Sequence, residues 1–390
     1  MEIKKNKIAI VIGQANFGGV TISSLMIFEE LKKLNYDVSF VISSNDPGNG
    51  INLLQERKIK PNLVNLNVKK LKSRCINLNK ILNTMDYIIF SESIETQFIL
   101  SSLNNNIKII KFLRNPYEII LNRYAYYNIK YLDHLVSISP FLAEISYLKN
   151  PKESKLIPNA TNYAFKNKDS KKNTISFLYV GRINNYHKNT SILIEIANEL
   201  KNRGFKQKWF IAGDGPDKEK LLSSFNKNEF EINQRLCENS ELESIFYQSD
   251  FTIIPSNFEA FGRTLIESMA TGTVPICSNL SVFSWILGSN SNLLQVSNNN
   301  YKEYADIIID LYLDNEKYKK IQYSLKRRQE NLFSTDVLSK NLSRIMELDS
   351  DKSDIRKNMI NIPFRERLKE TFYGKILHKI YMKLKYNDFI

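Results

Sequence analysis

Cysteine and histidine are scarce in this chain: 390 residues hold three of each. Cys75, Cys237 and Cys277 are scattered, odd in number and without metal-ligand spacing. They fit a reducing cytoplasm rather than a disulfide framework. The histidines are isolated, so a His/Cys metal site is not expected. No apolar run is long enough to span a membrane. The opening MEIKKNKIAIVIG places basic residues before an apolar run, as a signal peptide would. That run is short and is broken by Gly13 and the polar residues 14–16, so a first β-strand is expected instead. No nucleic-acid-binding module is present, and the 11% of aromatic residues form no stacking motif.

Hydrophobic content of 43% and charged content of 25% are those of a soluble globular protein, and 390 residues suffice for two α/β domains. The formal net charge of +14 calls for an anionic partner: nucleic acid, an anionic membrane surface or phosphorylated ligands. Charge alone does not choose among them.

Residues 8–12 read as a buried strand, Gly18 and Gly19 as a loop, 20–34 as a helix and 37–42 as a second strand. A Gly-Gly pair ahead of a helix can cradle a phosphate with its amides. It is not GxGxxG, however, and a plain strand-to-helix turn reads the same. Residues 45–71 are polar and poorly periodic, with a basic cluster at Lys69, Lys70, Lys72 and Arg74 that reads as an acceptor-facing, membrane-facing or simply solvated surface. Further strands are expected at 87–90, 107–113 and 135–139, with helices between, and this repetition argues for a parallel sheet. Arg114, Asn115 and Pro116 follow a strand at its carboxyl edge. His134 opens a strand and reads as structural. The charged stretch 166–173 is a domain boundary.

The second half opens with a strand at 175–180, then G-R-I-N-N-Y-H-K-N. Gly181 permits a tight turn. Arg182 and Lys188 put two cations at a strand end beside a helix expected at 191–200, an arrangement suited to a diphosphate or to nothing more than a charged loop. His187 reads as loop packing. A strand at 209–212 ends in the turn Gly213-Asp214-Gly215-Pro216. Helices are expected at 242–248, 301–313, 316–331 and 336–348.

The most informative stretch is PSNFEAFGRTLIESMATGTVPICSN, residues 255–279. A strand at 251–254 precedes it. Residues 263–270 read as a helix with Leu265, Ile266 and Met269 on its apolar face, and a strand at 273–277 follows. The loop lies at the carboxyl end of a strand, where open α/β sheets bind ligands. Glu259 on the loop and Glu267 one turn into the helix can face one crevice. The amides of Phe261, Gly262 and Arg263 point out of the helix and suit an anion. Glycine at 262 allows close approach. The set points to a ligand both hydroxylated and phosphorylated, such as a nucleotide sugar. In isolation, the two glutamates read better as solvated helix-start residues.

E-A-F-G-R-T-L-I-E, followed by M-A-x-G-x-x-P-I at 269–276, resembles the Glu-x7-Glu motif of the retaining glycosyltransferases of family 4, glycosyl transferases group 1. G-R-x5-K-N at 181–189, G-D-G-P at 213–216 and the Gly-Gly pair extend the likeness, which covers residues 8 to about 348. The resemblance implies an α/β GT-B fold, two Rossmann-like domains facing each other across a cleft. Residues 1–165 would be the acceptor-side domain, 166–335 the nucleotide-sugar-binding domain, and 336–390 a cross-over helix with a basic amphipathic tail. It implies that Arg182 and Lys188 stabilise the leaving diphosphate and that Glu259 contacts the donor sugar. Glu267 would contact the ribose. Gly18, Gly19, Gly181, Gly213, Phe261, Gly262 and Arg263 would line the donor. The sequence departs from the family in two places. R-N-P-Y-E at 114–118 stands where many members carry a sugar-contacting histidine, so Arg114 or Asn115 is expected to do a related job or the acceptor side differs. Ala160 in I-P-N-A-T-N replaces a usual glycine.

The expected reaction is retaining hexosyl transfer from a nucleotide sugar, a UDP-sugar foremost, without a divalent metal or other cofactor. The acceptor would be a glycan or lipid-linked glycan in bacterial surface polysaccharide synthesis. A nucleotide-sugar epimerase of the same fold and a catalytically silent nucleotide-sugar-binding paralogue are the alternatives. In residues 363–390, Phe364, Leu368, Phe372, Ile376, Ile380 and Leu384 recur every four residues among lysines and arginines. That pattern fits an anionic membrane surface or a partner groove, with a helix packed on the protein as the equal alternative. The expected location is cytoplasmic, peripheral on the inner face of the cell membrane. Nucleic acid is not an expected partner.

Overall fold

The computed structural model describes residues 5–116, 124, 126–150, 152–168, 173–227, 231–235, 239–297 and 300–350, with 352, 356, 359–360 and 362–363 beyond them. The chain divides into two compact units. Residues up to Ile157 together with those from Ser339 form the first, and Pro158–Leu338 the second.

The first unit is a parallel sheet of seven strands: β1 (Lys7–Ile12), β2 (Asp37–Ile42), β3 (Asn62–Leu63), β4 (Tyr87–Ser91), β5 (Lys108–Leu113), β6 (His134–Ser137) and β7 (Lys155–Leu156). Their order is β3-β2-β1-β4-β5-β6-β7. The second unit repeats the plan with six: β8 (Ile175–Val180), β9 (Gln207–Ala212), β10 (Glu231–Arg235), β11 (Phe251–Ile254), β12 (Val274–Ser278) and β13 (Gln295–Val296), ordered β10-β9-β8-β11-β12-β13. Every pair in both sheets is parallel. The strand order reverses beside β1 and beside β8, which makes the gaps β1/β4 and β8/β11 the topological switch points of two Rossmann-like units.

The strands read as continuous apolar runs because helices cover both faces of a parallel sheet. In the second unit Phe177 stacks on Trp209 at 4.6 Å and lies 6.0 Å from Phe251, all three fully buried. Asp250, ahead of β11, accepts the Ser176 amide at 2.8 Å, and the Tyr318 hydroxyl donates to its backbone carbonyl at 2.7 Å.

Some expectations shift. The strand expected at 135–139 ends at Ser137, because Ser139 caps the helix Pro140–Lys149 by accepting the Leu142 amide. Residues 45–71 contain a short helix, Asn52–Glu56, and the edge strand β3. The basic cluster is not one solvated face. Lys69, Lys70 and Lys72 are exposed, but Arg74 turns inward and pairs with the buried Glu95 at 2.9 Å. A carboxylate buried beside the sheet needs a cation, and Arg74 is one helical turn inside the helix Leu71–Leu82, within reach. His134 is fully buried in β6.

The helix Thr335–Glu347 begins in residues of the second unit and ends in the first. The chain after it is fastened to the amino ends of β5 and β6. Lys108 donates to the carbonyls of Met346 and Leu348 at 2.7 and 2.8 Å. The buried Arg356 guanidinium meets Asp133 at 2.7 Å and donates to the carbonyls of Asn104, Ile107 and Tyr131. The Asp133 oxygen that accepts Arg356 also accepts the Ile109 amide at 2.8 Å. The tail pattern of residues 364–390 lies outside the described residues, as does Asp351 of the Asp349-Ser350-Asp351 run, whose Ser350 donates to Asp133.

Arg356→Ala leaves the buried Asp133 with the Ile109 amide, the Ser350 hydroxyl and, among the described residues, one remaining cation, Lys352, 3.7 Å from its other oxygen. Urea denaturation is expected to show a loss of about 3 kcal/mol, the cost of breaking a buried pair from one side. A loss under about 1 kcal/mol would show that the clasp does not hold this segment.

Candidate active site

The carboxyl ends of β8 and β11 meet at the switch point of the second unit. The Thr264 hydroxyl donates to the Val180 carbonyl at 3.4 Å, tying the helix after β11 to the last residue of β8. Gly181 leaves β8 with φ +145°, and its amide donates to the Ala212 carbonyl at 3.0 Å. The Ile183 amide donates to Asp214 at 2.8 Å. The loops after β8 and β9 therefore run backbone against backbone. A Cβ on Gly213 would stand 1.9 Å from the Gly181 carbonyl oxygen, so only glycine fits there.

The loop after β8 is more ordered than its sequence shows. Asn184 accepts the His187 amide at 3.0 Å and starts a short helix, Asn185–Lys188. Asn189 ends it in the left-handed conformation, φ 48°. The Asn185 amide donates to Asp217 at 2.7 Å. Tyr179, buried in β8, donates its hydroxyl to the Arg182 carbonyl at 2.8 Å. Burial raises the Tyr179 pKa well above the ordinary phenol value, and the nearby Glu259 charge adds to this, so the donor stays protonated. The Arg182 side chain is exposed. His187 packs edge-on against Tyr186, with ring centroids 4.8 Å apart.

The loop after β11 is pinned to the loop after β8. The Asn257 amide donates to the His187 carbonyl at 2.9 Å and its side chain to the Tyr186 carbonyl at 3.0 Å. Lys188 forms an ion pair with Glu259, whose same oxygen accepts the Ser256 hydroxyl at 3.0 Å. Two residues that are 71 positions apart thus share one site. Gly262, at φ +103°, caps the helix Arg263–Thr271, and a Cβ there would lie 2.6 Å from the Phe283 ring. The Phe261 ring is buried against Trp285 at 6.1 Å and Phe333 at 5.9 Å, so it is its amide, not its ring, that belongs to the helix start. Glu267 is 5% exposed and pairs with Arg263 one turn earlier at 2.5 Å.

Arg182, Lys188, Glu259, Arg263 and Glu267 all belong to the loops and helix at this switch point, with Gly181, Gly213 and Gly262 shaping the backbone. The site offers cations and a helix amino end for an anion, and carboxylates for hydroxyls. Sequence reasoning did not single out Tyr179, Asn184, Ser256, Asn257 or Thr264. Asn184, three residues before the amide it caps, carried a readable capping signal. The others act through contacts distant in sequence.

In the first unit, Gly18 caps the helix Gly19–Lys33 at the carboxyl end of β1. A Cβ on Gly18 would meet nothing within 4 Å, which leaves its backbone open to approach. Arg114 is 5% exposed. Its guanidinium lies 5.0 Å over the Phe112 ring, donates to Ser91 at 3.0 Å and also donates to Ser23. It braces the ends of β4 and β5 against that helix. Asn115 is half-buried. Of the cysteines, Cys75 and Cys277 are buried thiols, and burial pushes the Cys277 thiol far above its ordinary pKa. Cys237 lies outside the described residues. Among the described residues no group of three or more His, Cys, Asp or Glu is placed to hold a metal ion, and no helix is long and apolar enough to cross a membrane.

Comparison with known proteins bears on this arrangement. Residues 161–328 match the family model "Glycosyl transferases group 1". A glycogen synthase of Mycobacterium tuberculosis is 26% identical over 144 residues, 36% of this chain and 33% of that protein, so the match spans about a third of the curated relative. HepE of Anabaena, solved with UDP and glucose, superposes with a TM-score of 0.70 at 14% identity over 88% of this chain and 100% of its own. A glycosyltransferase of Rickettsia africae gives 0.69 at 19% identity over 88% and 99%. Residues 161–328 resemble the group 1 glycosyltransferases, and the chain has the GT-B fold.

Proposed function

We propose that the chain is a glycosyltransferase that moves a hexosyl group from a nucleotide sugar, a UDP-sugar foremost, to an acceptor hydroxyl. The observation that carries this reading is the Lys188–Glu259 pair at the carboxyl ends of β8 and β11, beside Arg182 and the amino end of Arg263–Thr271. The UDP and glucose complex of HepE supports it by likeness of fold.

In this reading the donor diphosphate takes Lys188 from Glu259 and draws in Arg182. Glu259, still oriented by Ser256, is then free to accept the hydroxyls of the donor sugar. Glu267 exchanges part of its bond with Arg263 for the ribose hydroxyls. The amides at 261–263 face the phosphates. As the bond from sugar to diphosphate breaks, negative charge grows on the leaving phosphate oxygen. Arg182 and Lys188 are already in place to stabilise it, as a divalent cation would in other sites. The acceptor oxygen approaches the anomeric carbon on the face the diphosphate leaves, and its proton passes to the departing phosphate oxygen. The configuration is thereby retained and no enzyme nucleophile is needed. The acceptor is a glycan or lipid-linked glycan of bacterial surface polysaccharide synthesis. The basic tail from 363 holds the enzyme on the anionic inner face of the membrane.

Lys188→Ala is expected to lower kcat/KM about 10²-fold or more, the scale of losing one preorganised charge-stabilising donor. Near-normal turnover by the folded variant would remove Lys188 from this role. In thermal-shift assays with UDP-, GDP-, ADP- and dTDP-sugars, one nucleotide class is expected to stabilise the wild type by about 2.7 kcal/mol at a hundred times its Kd. Glu267→Ala is expected to lose that stabilisation, and a folded wild type that responds to none would refute the donor site. For the tail, liposome flotation with anionic vesicles should fall when residues 363–390 are deleted, and equal flotation would exclude the membrane role.

A further inference from the structure

The helix Asn315–Leu332 buries Tyr318, Ile321, Gln322, Leu325 and Gln329. Its next face carries Lys320, Tyr323, Ser324, Arg327, Arg328 and Asn331, spaced at three and four residues. Together with Ser289 and Asn290 of the turn after Ser281–Leu287, this face lines a cavity of about 930 Å³. None of Arg182, Lys188, Glu259 or Glu267 lines it. Three lining side chains are cations and none is an acid.

Arg328 is fixed rather than loose. Its Nε donates to the Ile286 carbonyl and its Nη2 to the Trp285 carbonyl, both at 2.6 Å. Those are neutral acceptors, so its charge is not cancelled. Among the described residues, no carboxylate pairs with Lys320, Arg327 or Arg328. The helix's own Glu330 is engaged by Lys326, 3.5 Å away and outside the cavity lining. Asn290 donates to the Ser324 hydroxyl at 3.0 Å, which holds the turn to the helix. Tyr323 and Leu332, 44% and 36% exposed, add apolar surface, and the remaining walls are amide and hydroxyl. One fixed cation beside two exposed ones, none paired with a carboxylate among the described residues, attracts anions. An exposed ring beside hydroxyl and amide groups suits a sugar. The volume is that of an ordinary ligand site.

We propose that this cavity is a second binding site that takes an anionic carbohydrate, a sugar ring on Tyr323 with its phosphate, sulfate or carboxylate on Lys320, Arg327 and Arg328. Such a ligand is either a free sugar phosphate or a segment of a charged glycan. The site stands apart from the donor reading and survives its failure.

Calorimetry on the full chain, with saturating UDP to cover the phosphate contacts of the donor site, tests this with three probes: glucose 1-phosphate, a sulfated heparin hexasaccharide and neutral maltohexaose. Wild type is expected to bind at least one anionic probe and to bind maltohexaose at least tenfold more weakly. Lys320→Ala/Arg327→Ala is expected to weaken that binding at least tenfold while UDP affinity stays unchanged. Both side chains are exposed, so the fold is expected to hold, checked by the melting temperature. Lys201→Ala/Lys302→Ala, which removes the same charge elsewhere, is expected to bind as wild type does. Binding of glucose 1-phosphate identifies a sugar-phosphate site, and binding of the hexasaccharide alone a glycan site. Binding of neither, equal binding of maltohexaose, or equal losses in the two double variants would overturn the proposal.

Discussion

The ion pair between Lys188 and Glu259 is the contact on which the candidate site depends. It joins the loop after β8 to the loop after β11, and Ser256 donates to the same carboxylate oxygen. Two partly buried charges held together in this way offset part of each other's desolvation cost and leave each group placed for a stronger partner. In the proposed donor complex a phosphate competes for the lysine and sugar hydroxyls for the glutamate. Without a donor the pair braces the loops. Around it, Asn257 and Thr264 bind the same loops through backbone carbonyls, so the geometry does not rest on charge alone.

Backbone approach sets the rest of the site. Gly213 lies against the Gly181 carbonyl and Gly262 against the Phe283 ring. Any side chain at either position would push apart elements that the charged groups need close. Tyr179, buried and kept protonated, steadies the carbonyl of Arg182 and leaves its guanidinium exposed. The first unit uses the same devices differently. Arg114 is spent on Ser23, Ser91 and the Phe112 ring, which makes it a brace at the strand ends rather than an exposed cation.

Much of this was legible in the sequence. Apolar runs marked the longer strands, because strands covered on both faces carry little else. The glycines at 181, 213 and 262 marked turns, Glu259, Arg182 and Lys188 stood on loops after strands, and Glu267 stood one turn into the next helix. Short strands such as β3 and β13 were not legible, since two residues carry no period. The inward turn of Arg74 and the clasp of Arg356 were hidden as well. A buried cation and an exposed one look alike until the carboxylate that receives it is placed, here Glu95 and Asp133.

The sequence by itself determined the alternation of strand and helix, the doubling of the α/β plan and the residue types gathered at 181–189 and 255–267. These follow from local periodicity and from motifs within one stretch of chain. Only the tertiary structure decided which charges meet. Lys188 finds Glu259, Arg356 finds Asp133, and Lys320, Arg327 and Arg328 meet Ser289 and Asn290 around one cavity without an acid. Pairing of that kind depends on distances across the fold, and linear spacing does not encode them.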